Sequence, residues 1–253
     1  MIEKFKGTIF NTGADLIVNT VNCDGIMGKG IALEFKLRYP GLFEEYKELC
    51  ENGEIQVGKV YLHEVLGQKI LSFPTKNHWR NPSKIEYIEE GLKDFARRYK
   101  EFEIESVAFP GLGTSNGGLR WDVVLPLMEK YLSDLPIKVF ICEDQLRAEG
   151  VEREMLTYLY RYVNQWELLE ELSKRLRIRE SVLIGIRDNF PKRFYQINDM
   201  KIVTKTSYEK LFKYLYSLCK NGTDALISKE KQDSPVEKGI SEQLTLFDDL
   251  NNL

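Results

Sequence analysis

The chain predicts a three-layer α/β domain over residues 1–147, with helices on both faces of a mixed sheet. Two observations carry this expectation. Short β-branched or aliphatic runs alternate with segments of helical periodicity, and two Gly-rich loops each follow a strand. The pattern then changes to a small, mainly helical domain over 148–220 and to a flexible tail over 221–253.

Leu16-Ile-Val-Asn-Thr-Val21 reads as a buried strand that enters the first Gly-rich loop. Gly30 to Tyr39 has helical periodicity and stops at Pro40. Val60 to Val65 and Gln68 to Phe73 are two strands joined across Leu66-Gly67, a hairpin signal. Ser83 to Arg98 reads as a helix with Ser83 as N-cap, Glu86 at the capping-box position and an apolar stripe of Ile85, Ile88, Leu92 and Phe95. Ser106 to Phe109 is a strand feeding the second loop, Gly111 to Gly118. A helix from Trp121 to Leu132 and a strand from Lys138 to Cys142 close the series.

Beyond residue 150, Glu152 to Trp166 and Glu167 to Leu176 read as consecutive helices. A tight turn near Arg177 to Arg179 leads to another helix capped near Glu180-Ser181. A short polar hairpin from Phe194 to Thr204 and a helix from Ser207 to Cys219 follow. The pattern suits a winged helix-turn-helix, with Arg187 presented near Lys192 and Arg193. It suits equally a helical docking domain with a solvated charged face.

With 253 residues, 43% hydrophobic, 30% charged and a mean hydropathy of −0.35, collagen-like and wholly disordered classes are excluded. The apolar runs fall short of the roughly 18 residues a membrane span needs, so no membrane partner is expected. Met1 to Gly7 lacks the apolar core of a signal peptide, and cytoplasm is the expected compartment. Four cysteines without C-x-x-C spacing and two histidines read as reduced thiols and no metal site. The net charge of −3 divides into −4 over residues 1–150, +5 over 151–220 and −4 over 221–253, which suggests three different jobs.

The first loop is Asn22-Cys-Asp-Gly-Ile-Met-Gly-Lys-Gly-Ile-Ala32 and the second is Pro110-Gly-Leu-Gly-Thr-Ser-Asn-Gly-Gly118. Glycines let backbone N–H groups approach an anion, and each loop feeds a helix N-terminus. Two such loops imply a ligand with more than one phosphate. Neither fits a nucleotide-triphosphate loop, because Gly30 follows Gly28-Lys29 where a Ser or Thr would hold magnesium. Leu33 likewise breaks the dinucleotide fingerprint.

Val18-Asn-Thr-Val-Asn22 with Gly25-Ile-Met-Gly-Lys-Gly-Ile-Ala-Leu-Glu-Phe-Lys36 resembles the ADP-ribose-binding macrodomain family. More narrowly it resembles the DarG-type branch, DNA ADP-ribosyl glycohydrolases that are antitoxins of DarT-type toxins. Phe73-Pro-Thr-Lys-Asn-His-Trp-Arg80 and Gly111 to Trp121 match the same branch in the same order, so the resemblance covers roughly residues 1–145. It implies ADP-ribose as ligand, its diphosphate between the two loops. Asn22 would then bond the distal ribose, and Gly28, Lys29, Gly30 and Ile31 would lie against ribose and phosphate. Gly113, Thr114, Ser115, Asn116 and Gly117 would wrap the diphosphate. Lys76, with Thr75 beside it, would be the catalytic residue, attacking the anomeric carbon or stabilising charge there. His78, Trp79 and Arg80 can stack on and grip a DNA substrate. No cofactor or metal is implied.

The chain also departs from the family pattern. Thr8-Ile9 stands where many members carry an adenine-binding Asp. Gly117 stands where members that cleave protein-linked ADP-ribose have an Asp, which fits the DNA-directed members. Thr114-Ser115 replaces the usual Cys-Gly after Gly113, and Arg120 stands where a polar or acidic residue is common. No role is assigned to Asp24 or Asp122.

In the tail, Gln243-Leu-Thr-Leu-Phe247 is similar to the pentapeptide by which bacterial replication and repair proteins bind the sliding clamp. Leu244, Leu246 and Phe247 would fill a groove while Gln243 orients the chain. The alternatives are a tail that folds back on its own domain or docks a toxin. The functional expectation is a glycohydrolase that removes ADP-ribose from DNA bases, with a toxin as partner. Against it stand a non-catalytic ADP-ribose reader, and an antitoxin that acts by binding toxin or DNA directly.

Overall fold

The polypeptide lays down six strands: β1 Ile2–Lys6, β2 Leu16–Asn22, β3 Tyr61–Val65, β4 Gln68–Lys76, β5 Ser106–Phe109 and β6 Lys138–Glu143. They join in one sheet in the order β1-β6-β5-β2-β4-β3. Every neighbouring pair is parallel except β3 with β4, so the sheet is mixed. The computed structural model describes residues 1–144 and 147–221. The β3–β4 reversal uses Leu66 and Gly67, both at positive φ, which matches the twist of a two-residue hairpin.

Successive side chains on a strand point to opposite faces, and the apolar residues divide accordingly. Leu16 and Val18 of β2, Phe73 of β4 and Val107 and Phe109 of β5 pack with α3 (Ile85–Arg98) and α4 (Trp121–Leu132). Ile17 and Val21 of β2, Ile70 of β4 and Phe140 of β6 face the other way. They pack with α1 (Gly30–Arg38) and α2 (Leu42–Glu51). The three layers expected from the sequence are present. Two elements were not legible there. β1 is a charged edge strand whose partner lies 137 positions away, Ile2 against Val139. α2 buries only Leu42 and Tyr46, too sparse a stripe to stand out.

A helical region follows: α5 Gly150–Asn164, α6 Trp166–Leu176, α7 Glu180–Asp188 and α8 Lys205–Asn221. α6 ends at Arg177 in the left-handed conformation and α7 begins three residues later, the tight turn that the sequence indicates. Its core of Leu159, Leu172, Ile186, Phe194, Leu211 and Leu215 takes in Leu33 and Leu37 of α1. α1 is therefore buried on two sides, Phe35 toward the sheet and Leu33 toward the helices. The buried guanidinium of Arg38 pairs with Glu34 at 2.6 Å and lies over the rings of Phe10, Tyr216 and Phe212, joining both sides.

Three expectations are corrected. The hairpin over 194–204 is absent: Phe194–Asp199 is a 3-10 helix. Phe194 and Ile197, three residues apart, fall on one side of such a helix, where both are buried. The Gln196 amide oxygen accepts from the Lys192 and Arg193 backbone N–H groups, which tightens the turn. Arg193, expected beside the presented Arg187 in a basic group, is instead buried and bonded to Glu152 at 2.9 Å and to Asp144. Ser83 does not cap α3. That helix starts at Ile85 after Lys84, because the Ser83 N–H donates to the Gly117 carbonyl at 2.9 Å and draws the residue onto the second loop. No helix among the described residues is long and apolar enough to cross a membrane.

Candidate functional site

β2 ends at Asn22, whose buried side chain organises the first loop. Its Oδ1 accepts from the Asp24 N–H at 2.9 Å, the Ile26 N–H at 3.3 Å and the Tyr46 hydroxyl at 3.2 Å. Its Nδ2 donates to the Ile26 carbonyl at 2.6 Å. The amide thus folds residues 22–26 into a closed turn, as Asn side chains do. Tyr46 reinforces it by donating to the Asn22 carbonyl at 2.7 Å, and burial pushes that phenol's pKa up. Burial likewise pushes the Cys23 thiol up to about 11 and the Cys142 and Cys219 thiols up to about 12. These thiols are protonated at neutral pH and poor nucleophiles.

The neighbouring strand ends beside it. β4 pairs with β2 as Val21 with Pro74 and then Asn22 with Lys76, so Thr75 is a bulged residue. Thr75 is buried, while Lys76 is half-buried and its Nζ donates to the Asn116 carbonyl at 2.6 Å. Asn116 lies in the second loop, and its side-chain Nδ2 would be 2.8 Å from a Cβ added to Gly30. Gly30 has a φ of 58°, and its lack of a side chain lets the two loops approach. Within the second loop the Gly113 carbonyl accepts from the Leu119 N–H at 3.0 Å, and Thr114 Oγ1 donates to the Gly111 carbonyl at 3.2 Å. A Cβ on Gly117 would collide with the Gly113 carbonyl and the Ser83 hydroxyl. That hydroxyl is buried without a hydrogen-bond partner among the described residues. Gly28, Lys29 and Ile31 complete the first loop, with Lys29 exposed at the N-cap of α1, while Ser115 is exposed on the second loop.

After Lys76 the chain forms an exposed aromatic and basic turn. His78 stacks on Trp79 at 6.1 Å, and the Arg80 guanidinium lies 4.6 Å from the Trp79 ring centroid. Trp79 remains 42% exposed, unusual for its type and suited to stacking on a planar ligand. The turn is tied to the first loop by Asp24, whose Oδ2 accepts from the Trp79 N–H at 2.7 Å and lies 3.8 Å from His78 Nε2. Sequence reasoning gave Asp24 no role. An acid two residues after a loop-initiating Asn was the available signal, but its partner is 55 positions away.

Lys76, Asn22, Thr75, Asn116 and the loop glycines are therefore gathered at one end of the sheet, with His78, Trp79 and Arg80 alongside. Gln243, Leu244, Leu246 and Phe247 lie outside the described residues. Among those described, no group of three or more His, Cys, Asp or Glu side chains is placed to hold a metal.

The family model for the Macro domain matches residues 18–128. The chain is 41% identical over 186 residues to the DNA ADP-ribosyl glycohydrolase of Mycobacterium tuberculosis, covering 67% of this chain and 53% of that protein. It is 42% identical to the solved macrodomain of Mycobacterium tuberculosis DarG, with a TM-score of 0.56, covering 57% of this chain and 99% of that one. It is also 35% identical to Thermosipho africanus DarTG in complex with ADP-ribose, with a TM-score of 0.53, over 57% of this chain and 42% of that one. The chain spans about half the length of the mycobacterial glycohydrolase it matches.

Proposed function

The chain belongs to the macrodomain family, and from that premise we propose that it is a DNA ADP-ribosyl glycohydrolase. The observation that carries the reading is the placement of Lys76 beside Asn22, where the first Gly-rich loop begins, with its ammonium bonded to Asn116 of the second. The loop amides and Gly28 to Ile31 hold the ligand's phosphates. Asn22 holds the loop against the distal ribose, and residues 113–117 close over the diphosphate. Lys76 acts at the anomeric carbon. The bond from that carbon to the base nitrogen breaks, its electron pair leaves with the base, and the base nitrogen takes a proton. Water adds its hydroxyl to the carbon, giving free ADP-ribose and the unmodified base. The exposed Trp79 ring, backed by His78 and Arg80, stacks on the DNA strand that carries the modification.

The experiment is incubation of the protein and its Lys76→Ala variant with an ADP-ribosylated oligonucleotide and an ADP-ribosylated protein. Release from DNA alone, lost in the variant, is the expected result. No release from either, with ADP-ribose still bound, would make the protein a reader.

Partners follow from the same reading. A toxin that ADP-ribosylates DNA is the source of the substrate, in line with a Thermosipho africanus relative named a DNA ADP-ribosyl transferase-DNA ADP-ribosyl glycohydrolase fusion protein. The segment Gln243 to Phe247 would bring the enzyme to the sliding clamp in the cytoplasm, where replicating bacterial DNA lies. Loss of clamp pull-down in a Leu246→Ala/Phe247→Ala double variant tests that recruitment.

A further inference from the structure

Lys205 is the first residue of α8, far outside the residues 18–128 that match the Macro domain. Thr204 fixes where that helix begins, its Oγ1 accepting from the Ser207 N–H at 3.1 Å. From this start Tyr208, Leu211, Phe212 and Leu215 run into the core that includes Leu33 and Leu37 of α1. Phe212 and Tyr216 lie against Arg38 near the end of α1. The two helices consequently run in the same direction, and the start of α8 is brought to the loop that precedes α1. There the Lys205 ammonium would stand 3.7 Å from a Cβ added to Gly28. It forms no ion pair or hydrogen bond among the described residues, and the same holds for exposed Lys29 next to Gly28.

We propose that Lys205 is a ligand-binding residue: the helical region delivers its ammonium to the first Gly-rich loop, where with Lys29 it neutralises a phosphate of the bound substrate. Gly28 offers backbone but no side chain, so an anion lying on the loop has the Lys205 ammonium within reach and Lys29 next in the chain. An unpaired ammonium held over an anion-binding loop by a packed helix is placed for a charge-assisted bond. The phosphate is either in the ADP-ribose diphosphate or in the DNA backbone beside the modified base. In both cases the helical region completes the substrate site, a part that the loops alone do not supply. This inference deepens the glycohydrolase reading and rests on it for the identity of the substrate.

The test uses the full chain in the Lys76→Ala background, so that substrate stays intact. Affinity is measured for ADP-ribose by calorimetry and for an ADP-ribosylated oligonucleotide by fluorescence anisotropy, with Lys205, Lys205→Ala and Lys205→Arg. The expected result is a loss of about 10-fold in Lys205→Ala that Lys205→Arg largely restores. Equal loss for both ligands places the ammonium on the diphosphate. Loss confined to the oligonucleotide, with a salt slope reduced by about one, places it on the DNA strand. Unchanged affinity for both ligands overturns the proposal. Lys205 is exposed, and an unchanged melting temperature separates lost binding from lost fold. Absence of turnover in the unmodified protein would remove the glycohydrolase reading without touching these binding constants.

Discussion

Asn22 and Lys76 stand side by side at the ends of β2 and β4 because one residue, Thr75, is bulged out of the pairing between them. Without the bulge Thr75 would face Asn22, and Lys76 would point to the opposite side of the sheet. The lysine reaches the Asn116 carbonyl through this displacement, and so ties the strand end to the second loop.

In the proposed reaction Lys76 acts at the anomeric carbon, and replacing it by Ala removes the ammonium that β4 brings to the second loop. Turnover of ADP-ribosylated DNA falls by about 100-fold or more, the scale of losing an electrostatic or nucleophilic group. The affinity for ADP-ribose changes by no more than a few-fold. Single-turnover kinetics and calorimetry separate the two.

Gly117 is surrounded by the Gly113 carbonyl and the Ser83 hydroxyl, with no room for a methyl group. Gly117→Ala therefore displaces the second loop, at about 1–3 kcal/mol for overpacking. ADP-ribose affinity drops by about 10-fold while far-ultraviolet circular dichroism is retained. A variant that binds as tightly as the parent would show that this loop does not touch the diphosphate.

Asp24 connects the first loop to the turn of His78, Trp79 and Arg80. In Asp24→Ala the Trp79 N–H loses its acceptor and the turn loosens. KM for ADP-ribosylated DNA rises several-fold, whereas the Kd of free ADP-ribose, which does not need Trp79, stays put. Parallel titrations of the two ligands measure the split.

Asp94 anchors α3 to the start of the hairpin by accepting from the Val60 N–H at 3.0 Å and from Arg97 and Arg98. Burial works to raise its pKa. The Val60 amide and the two guanidiniums outweigh burial and hold the carboxyl below its ordinary 3.8. A depressed carboxylate stabilises the fold fully above its unfolded pKa, and that stability is lost as pH falls through the lower folded value. Asp94→Asn thus costs about 2–4 kcal/mol at neutral pH, and the gap from the parent narrows below about pH 4. Urea midpoints across that range follow it.

Much of the sheet was legible because short continuous apolar runs such as Leu16 to Val21 and helical stripes such as Ile85, Ile88, Leu92 and Phe95 are local signals. β1 escaped because Ile2-Glu-Lys-Phe-Lys6 has no strong alternation and becomes a strand through distant β6. The 194–204 segment was misread because a polar run with turn residues resembles a hairpin, whereas burial of Phe194 and Ile197 selected the 3-10 helix. Motif residues Asn22, Lys76 and Asn116 could be listed from the chain, since each belongs to a short contiguous pattern.

What the amino-acid order determined by itself was the layered fold, the two Gly-rich loops and the motifs that hold the candidate site residues. Periodicity and short motifs are encoded within a few residues of one another. Tertiary structure alone decided the bulge that turns Lys76 toward Asn22, the Asp24 clasp on Trp79, the burial of Arg193 and the arrival of Lys205 at Gly28. Each of these depends on register or packing between segments tens to nearly two hundred residues apart, where the energy of close packing and burial, rather than local preference, chooses the partner.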